Sequence, residues 1–256
     1  MSDTDKVITT EKTEKTGKPT KRKLKTAPNT IEKSYAERGF SPIAGVDEAG
    51  RGPLAGPVVV CALILPEGLV IEGVNDSKKV TALRREKLAV AIKEAAISYA
   101  FGIVQPEEID RMNILQATLY AMSTAVAGLS DFGGSKRSRD SENSADTGDS
   151  ENFENSQDSG TTPVVALIDG TVSPTLPAGI RAVCVEQGDS ASHLIAAASI
   201  LAKVERDNIM QKLHEAYPQY GWDKNKGYGT PAHMDALREH GLSPQHRKSF
   251  CRGIKM

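Results

Sequence analysis

Ile43-Ala-Gly-Val-Asp47-Glu48-Ala-Gly-Arg-Gly-Pro53 is the stretch from which the fold can be read. A short apolar run stops at two acids, and Gly50, Gly52 and Pro53 follow at once. That pattern reads as a strand running into a tight turn. Val58 to Leu65 is a continuous apolar run of eight residues, rich in valine and closed by Pro66. It suits a strand buried on both faces. Phe101 to Val104 reads as a third strand. Val164 to Ile168, ending in Asp169-Gly170, and Ile180 to Val185, followed by Gly188-Asp189, read as two more.

Between these runs the spacing turns helical. Leu83, Leu88, Ala91, Ile92 and Ala95 recur at three- and four-residue intervals behind Thr81, a candidate N-cap. Ile109, Met112, Leu115, Leu119, Met122 and Val126 predict one long helix over 107–129. An alanine-rich helix is expected over 191–216. A last one should open at Thr230-Pro231 and close before Gly241. Strands cluster first and then alternate with helices, which predicts an α/β fold with a mixed sheet covered by helices.

Two segments fall outside that pattern. Residues 1–26 carry eight Lys or Arg against four Asp or Glu, and residues 130–162 carry eight acids against three bases. Neither has the apolar periodicity to offset the entropy of ordering, so both are expected to be disordered. The basic tail is drawn to residue 36 and the catalytic domain over 37–256, interrupted by the acidic insert. About 197 residues remain for folding, the size of one domain. The whole-chain net charge of −1 hides these opposite blocks. Eight apolar residues are too few to cross a bilayer, which takes about 20. The acidic N-terminus, Met1-Ser-Asp-Thr-Asp, lacks a secretion signal, so a cytoplasmic protein is expected. Cys61, Cys184 and Cys251 have no metal-ligand spacing and read as free thiols.

Three apolar runs lead to carboxylates: Asp47 with Glu48, Asp169, and Asp189. One such acid alone reads as a turn former, but ligands of open α/β sheets gather at the carboxyl ends of strands. Converging carboxylates repel by roughly 4 kcal/mol at about 4 Å and need cations. Oxygen donors without His or Cys suit Mg²⁺ or Mn²⁺ better than Zn²⁺. Adjacent strand residues point to opposite faces, so Asp47 and Glu48 are expected to share a site only if the strand ends there. Gly50 and Gly52 leave backbone N–H groups open to a phosphate or sugar, with Arg51 adding charge.

Taken together, Asp47-Glu48-Ala-Gly-Arg-Gly-Pro53, Asp76-Ser-Lys-Lys79, Leu167-Ile-Asp169-Gly170, Gly188-Asp189, Ala196 to Val204 with Arg206-Asp207, Gly227-Tyr-Gly-Thr230 and His246-Arg-Lys-Ser-Phe250 resemble ribonuclease HII, the bacterial type 2 ribonuclease H. Seven blocks occur in the same order from Ile43 to Phe250; the tail and the acidic insert lie outside the resemblance.

The resemblance implies a ribonuclease H-like mixed five-stranded sheet flanked by helices, with a small helical C-terminal region. It implies endonucleolytic cleavage of RNA in RNA/DNA hybrids and at single ribonucleotides in duplex DNA, giving 5′-phosphate and 3′-hydroxyl ends. It assigns Asp47, Glu48, Asp169 and Asp189 to a two-metal site. Gly50-Arg51-Gly52 would contact the ribose 2′-hydroxyl, and Tyr228 the neighbouring deoxyribose.

Lys78 and Lys79 are candidates for phosphate contacts or a solvated pair. His193 reads as a capping residue or a proton carrier, and Lys203 with Arg206-Asp207 as a helix brace. Arg247, Lys248, Arg252 and Lys255 read as a backbone-tracking surface or a solvated face. The partner is nucleic acid rather than membrane, and a monomer is expected. A fold that binds nucleic acid without turnover is the competing reading, set against the presence of all four carboxylates. A nucleotide enzyme is disfavoured because no Gly-x-x-x-x-Gly-Lys-Ser/Thr loop occurs.

Overall fold

The computed structural model describes residues 25–129 and 164–254. The acidic insert, and the basic tail as far as residue 24, lie outside the described residues. In chain order, α1 (Thr30–Glu37) precedes β1 (Ile43–Ala49) and β2 (Val58–Ile64). A 3-10 turn (Ser77–Lys79) follows, then α2 (Ala82–Ala95), β3 (Ser98–Val104), α3 (Pro106–Met112) and α4 (Ile114–Ala127). Beyond the insert come β4 (Val164–Asp169), β5 (Ile180–Val185), α5 (Gly188–Ala191) and α6 (His193–Ala216). The chain closes with α7 (Trp222–Asn225), α8 (Pro231–His240) and α9 (Lys248–Cys251).

The five strands form one sheet in the order β3-β2-β1-β4-β5. The β1–β2 and β2–β3 pairs are antiparallel, and the β1–β4 and β4–β5 pairs are parallel. The expected mixed sheet is therefore present. All seven residues of β2 are buried, because helices cover both faces. Each large aliphatic side chain so placed contributes roughly 1.5 to 3 kcal/mol of hydrophobic stabilisation. One face packs Cys61 and Leu63 against Ala197, Ala198 and Leu201 of α6, with Leu88 and Ile92 of α2 outside. The other packs Val46, Val60 and Ala62 against Ile109 of α3 and Ala117, Ala121 and Ala125 of α4. The alanines let α6 lie close to the sheet. At Gly45 the approach is so tight that any Cβ would strike the Leu194 backbone.

Four features differ from the sequence reading. The helix expected over 107–129 is two, because Asn113 takes φ +69° and its side chain accepts the Gln116 N–H at 3.1 Å as a new N-cap. Residues 30–36, assigned to the tail, belong to α1, whose Ile31 and Tyr35 pack against Val165, Leu167 and Ile195. The tail is shorter still, since Ala27 is buried and its N–H donates to the Val74 carbonyl at 2.8 Å. In α2 the buried residues are Leu88, Ala89 and Ile92, whereas Leu83 is exposed. Thr81 occupies the N-cap position without a side-chain bond.

The C-terminal helices surround a separate small core. Trp222 is fully buried and stacks on Tyr220 with ring centroids 5.1 Å apart, beside Met210, Leu237 and Ala55. Ala55 comes from the turn after β1, so this core is fastened to the loop that leaves the sheet.

Candidate active site

β1 and β4 run parallel with Val46 opposite Ile168. The next residues, Asp47 and Asp169, therefore come side by side at the carboxyl end of the sheet. They project to the α6 face, since neighbours in a parallel ladder share a side. Asp47 is buried, with Ser199 of α6 as a hydrogen-bond partner. Ser199 Oγ also lies 2.8 Å from Ser77 Oγ. Asp169 Oδ1 accepts the Gly188 N–H at 2.7 Å, which fixes the start of α5 against the end of β4.

β1 does not end at the acid pair. Asp47 and Glu48 are both laddered to β2, opposite Cys61 and Val60, and the strand runs on to Ala49. The two side chains consequently leave opposite faces. Glu48 lines a cleft with Thr118, Leu119, Asp169 and Gly170, and Arg51 Nη1 stands 3.4 Å from its Oε1. Asp189 is not at a strand end either. It sits in α5, four residues beyond the end of β5, with Lys78 Nζ 3.6 Å from Oδ2.

Electrostatics joins what the faces separate. Burial raises the Asp47 carboxyl well above its ordinary range, and Glu48 and Asp169 push it further. Burial also raises Glu48; Arg51 opposes the shift and Asp169 adds to it. Asp189 is raised by burial, by Asp76 and by Asp169, against Lys78. Asp169 thus acts on each of the other three, which places the four carboxyls in one field. They are not preassembled, however. Among the described residues no three acids, histidines or cysteines stand close enough to hold one ion. Like charges at a few ångströms separate unless a cation is bound between them. The donor set itself, four carboxylates and no nitrogen or sulfur, fits a hard divalent cation.

The Gly50–Gly52 turn is shaped from behind by two buried arginines. Gly50 takes φ +99°, and a Cβ there would collide with the Arg206 guanidinium. Arg247 donates from Nη2 to the Gly50 carbonyl at 2.6 Å, from Nη1 to Arg51 at 2.9 Å and from Nε to Gly56 at 3.0 Å. Arg206 donates from Nε to Pro57, Nη2 to Ala55 and Nη1 to Lys226, at 3.0, 3.1 and 3.0 Å. Tyr228, 47 % exposed, lies beside the turn.

Several residues differ from their sequence reading. Arg247 is fully buried, so it belongs to neither a tracking surface nor a solvated face. His193 is also buried, and its Nε2 accepts the Ile71 N–H at 3.0 Å, tying down the loop before Asp76. Lys203 and Asp207 do brace α6, at 2.6 Å. Lys78 is largely solvated, whereas Lys79 bonds Asp76 and Ser190, both at 3.0 Å. Ser77, Ser199, Asp76 and His233 were missed as individuals. All but His233 lie in recognisable blocks, but nothing in their spacing marks them as partners. A more apolar cavity lies under α1, lined by Phe40, Pro42, Leu65 and Leu69; none of the four carboxylates reaches it.

The profile of the ribonuclease HII family matches residues 44–132 and 159–253, on both sides of the acidic insert. A ribonuclease HII of Desulfitobacterium hafniense is 47 % identical over 220 residues, covering 86 % of this chain and 72 % of the relative. One of Caldanaerobacter subterraneus is 45 % identical over 223 residues, covering 87 % and 79 %. Among solved structures, the ribonuclease H2 of Pyrococcus horikoshii superposes with a TM-score of 0.60 at 26 % identity, over 83 % of this chain and 96 % of that one. With three carboxylates on the sheet, a fourth in α5, and a profile that spans nearly the whole described domain, the chain belongs to the ribonuclease HII family.

Proposed function

We propose that hydrolysis in this chain is carried by Asp47, Glu48, Asp169 and Asp189. As a member of its family the chain is an endonuclease that degrades RNA in RNA/DNA hybrids. The observation that carries the site assignment is the register that sets Val46 of β1 opposite Ile168 of β4 and so brings Asp47 beside Asp169. Carboxylates gathered in this way accept divalent cations, and an all-oxygen set favours Mg²⁺ or Mn²⁺. Two such ions would supply Lewis-acid activation of water and stabilisation of the leaving oxygen. The residues contribute position. Ser199 is a partner of Asp47 and the Gly188 N–H of Asp169, which anchors both side chains to the fold.

Recognition is assigned to the opposite wall. Arg247 draws the Gly50 and Arg51 carbonyls inward, which supports a reading in which the turn offers its N–H groups to the ribose 2′-hydroxyl. Tyr228 is exposed beside that turn and would pack on the adjacent deoxyribose. Lys78, solvated and near Asp189, would meet a phosphate. The test is incubation with Mg²⁺ or Mn²⁺ and a duplex containing one ribonucleotide. Cleavage at that ribonucleotide, with 5′-phosphate and 3′-hydroxyl ends, is the expected result. Binding without cleavage in both metals would overturn the assignment.

A further inference from the structure

Behind Tyr228 lies a closed chain of hydrogen bonds in the C-terminal core that the cleavage site does not use. The Ser243 N–H donates to His246 Nδ1 at 2.9 Å. A backbone N–H only donates, so that nitrogen is bare, and a neutral His246 must carry its proton on Nε2. His246 Nε2 is 3.1 Å from His233 Nε2. The Trp222 Nε1–H also donates to His233 Nε2, at 3.1 Å, so this nitrogen is bare as well. The proton of His233 is therefore on Nδ1, which stands 2.9 Å from the carbonyl oxygen of Tyr228. That oxygen also accepts the Thr230 N–H at 2.8 Å. Each partner fixes the next, and both rings are buried to within 1 % exposure.

The other end of the chain is anchored in the second recognition element. His246 is bridged to Ala55, the Gly56 N–H donates to the Gln245 carbonyl, and Arg247, the next residue, holds the Gly50 and Arg51 carbonyls. Leu54 N–H reaches the Gly227 carbonyl directly. The histidine pair adds a bond to Tyr228 itself, which sets the direction of its peptide and hence of the exposed ring.

We infer that His246 and His233 are positioning residues that transmit the geometry of the Gly50–Gly56 turn to Tyr228, through one fixed pair of tautomers, His246 Nε2–H and His233 Nδ1–H. This inference rests on the reading of Tyr228 as a contact to the nucleic acid. Burial, with His233 alongside, pushes His246 down to about 4, and burial lowers His233 too, in keeping with the neutral rings that the Ser243 and Trp222 N–H donors require.

Two substitutions separate transmission from local structure. In His246→Asn the side-chain oxygen can still accept the Ser243 N–H, but nothing reaches His233. In His246→Gln an amide N–H can reach His233 while the acceptor for Ser243 is lost. The quantity to measure is the ratio of cleavage at a single embedded ribonucleotide to cleavage of a long hybrid. His246→Asn should lower that ratio about three- to tenfold, the size of one hydrogen bond. His246→Gln should recover most of it, and His246→Asn should add nothing in a Tyr228→Ala background. Nitrogen NMR of the histidine-labelled full chain near pH 7 should show one ring protonated on Nε2 and the other on Nδ1. Equal loss on both substrates, a Gln variant no better than the Asn variant, or two rings of the same tautomer would overturn the inference. If Tyr228→Ala itself left the ratio unchanged, the reading of Tyr228 would fall and the transmission role with it. The tautomer pair would then be judged from the nitrogen spectra alone.

Discussion

Gly45 of β1 faces the main chain of Leu194 of α6 with no room for a side chain between them. The contact sets the height of α6 above the sheet, and two residues further along β1 stands Asp47, bonded to Ser199 of the same helix. Gly45→Ala must push backbone from backbone. Overpacking of this kind costs about 1 to 3 kcal/mol, which for a domain of this size lowers Tm by roughly 2 to 12 °C. Turnover should fall as well at temperatures where the variant is fully folded, because Asp47 moves relative to Ser199. A melt superimposable on wild type would show that the sheet and helix have slack at this point.

Asp47→Asn should abolish cleavage while leaving the fold intact or firmer. The substitution removes a candidate cation ligand together with a buried charge that Glu48 and Asp169 oppose. Metal catalysis supplies several kcal/mol, so more than about a tenth of wild-type turnover would exclude Asp47 from the cation site.

The same shift predicts a pH dependence of stability without divalent cation. A carboxyl whose folded pKa lies above its unfolded value binds more protons in the native state. Its contribution is present below the unfolded value, near pH 4, and is lost as pH rises through the folded value. Wild type should therefore lose stability with rising pH over that range, relative to Asp47→Asn, and Mg²⁺ should restore it. Parallel pH slopes for the two proteins in thermal melts would contradict this.

The composition of residues 1–26 predicts that they can be removed at no thermal cost, but the contacts of Lys25 and Thr26 move that limit. Thr26 Oγ1 accepts the Gly73 N–H at 2.9 Å, and the Asn75 side chain donates to the Lys25 carbonyl at 3.3 Å. With the Ala27 bond to Val74, three hydrogen bonds hold the loop that leads into Asp76, Lys78 and Lys79. Each is worth about 0.5 to 1.5 kcal/mol. A chain starting at residue 29 should melt several degrees below one starting at residue 25 and cleave more slowly. Equal melting temperatures would mean that the loop holds itself.

Most of the sheet was legible because its strands are apolar runs punctuated by Gly, Pro and acid, and a strand buried on both faces needs no alternation to be recognised. α1 was not, since Ile31 and Tyr35 are only partly covered and sit among charges. The break at Asn113 was hidden because an unbroken helical stripe runs through it, and only the positive φ ends the first helix. The four acids were visible as chain punctuation. Their placement was less so: the alternation that sends Asp47 and Glu48 to opposite faces was expected to be relieved by an ending strand, yet β1 continues to Ala49. Buried partners such as Arg206 and Arg247 act over long sequence separations, and no local pattern reports whom they meet.

Tyr228→Ala bears on how RNA is told from DNA. The Tyr228 ring stands against the turn closely enough that a Cβ built on Gly52 would lie 3.8 Å from its Cε1. A sugar held by the turn would therefore have its 3′ or 5′ neighbour over the ring. In a duplex with one ribonucleotide there is a single productive register, so a lost ring contact is felt in full. A long hybrid offers many equivalent registers and should be less affected. Packing of an aromatic ring on a nucleotide is worth about 1 to 3 kcal/mol, by analogy with base stacking, which corresponds to roughly a 5- to 150-fold loss on the single-ribonucleotide substrate. Both substrates should be cleaved by wild type and Tyr228→Ala in parallel, at one salt and one Mg²⁺ concentration. An equal loss on both, or none on either, would confine Tyr228 to shaping its loop and move junction recognition elsewhere on this wall.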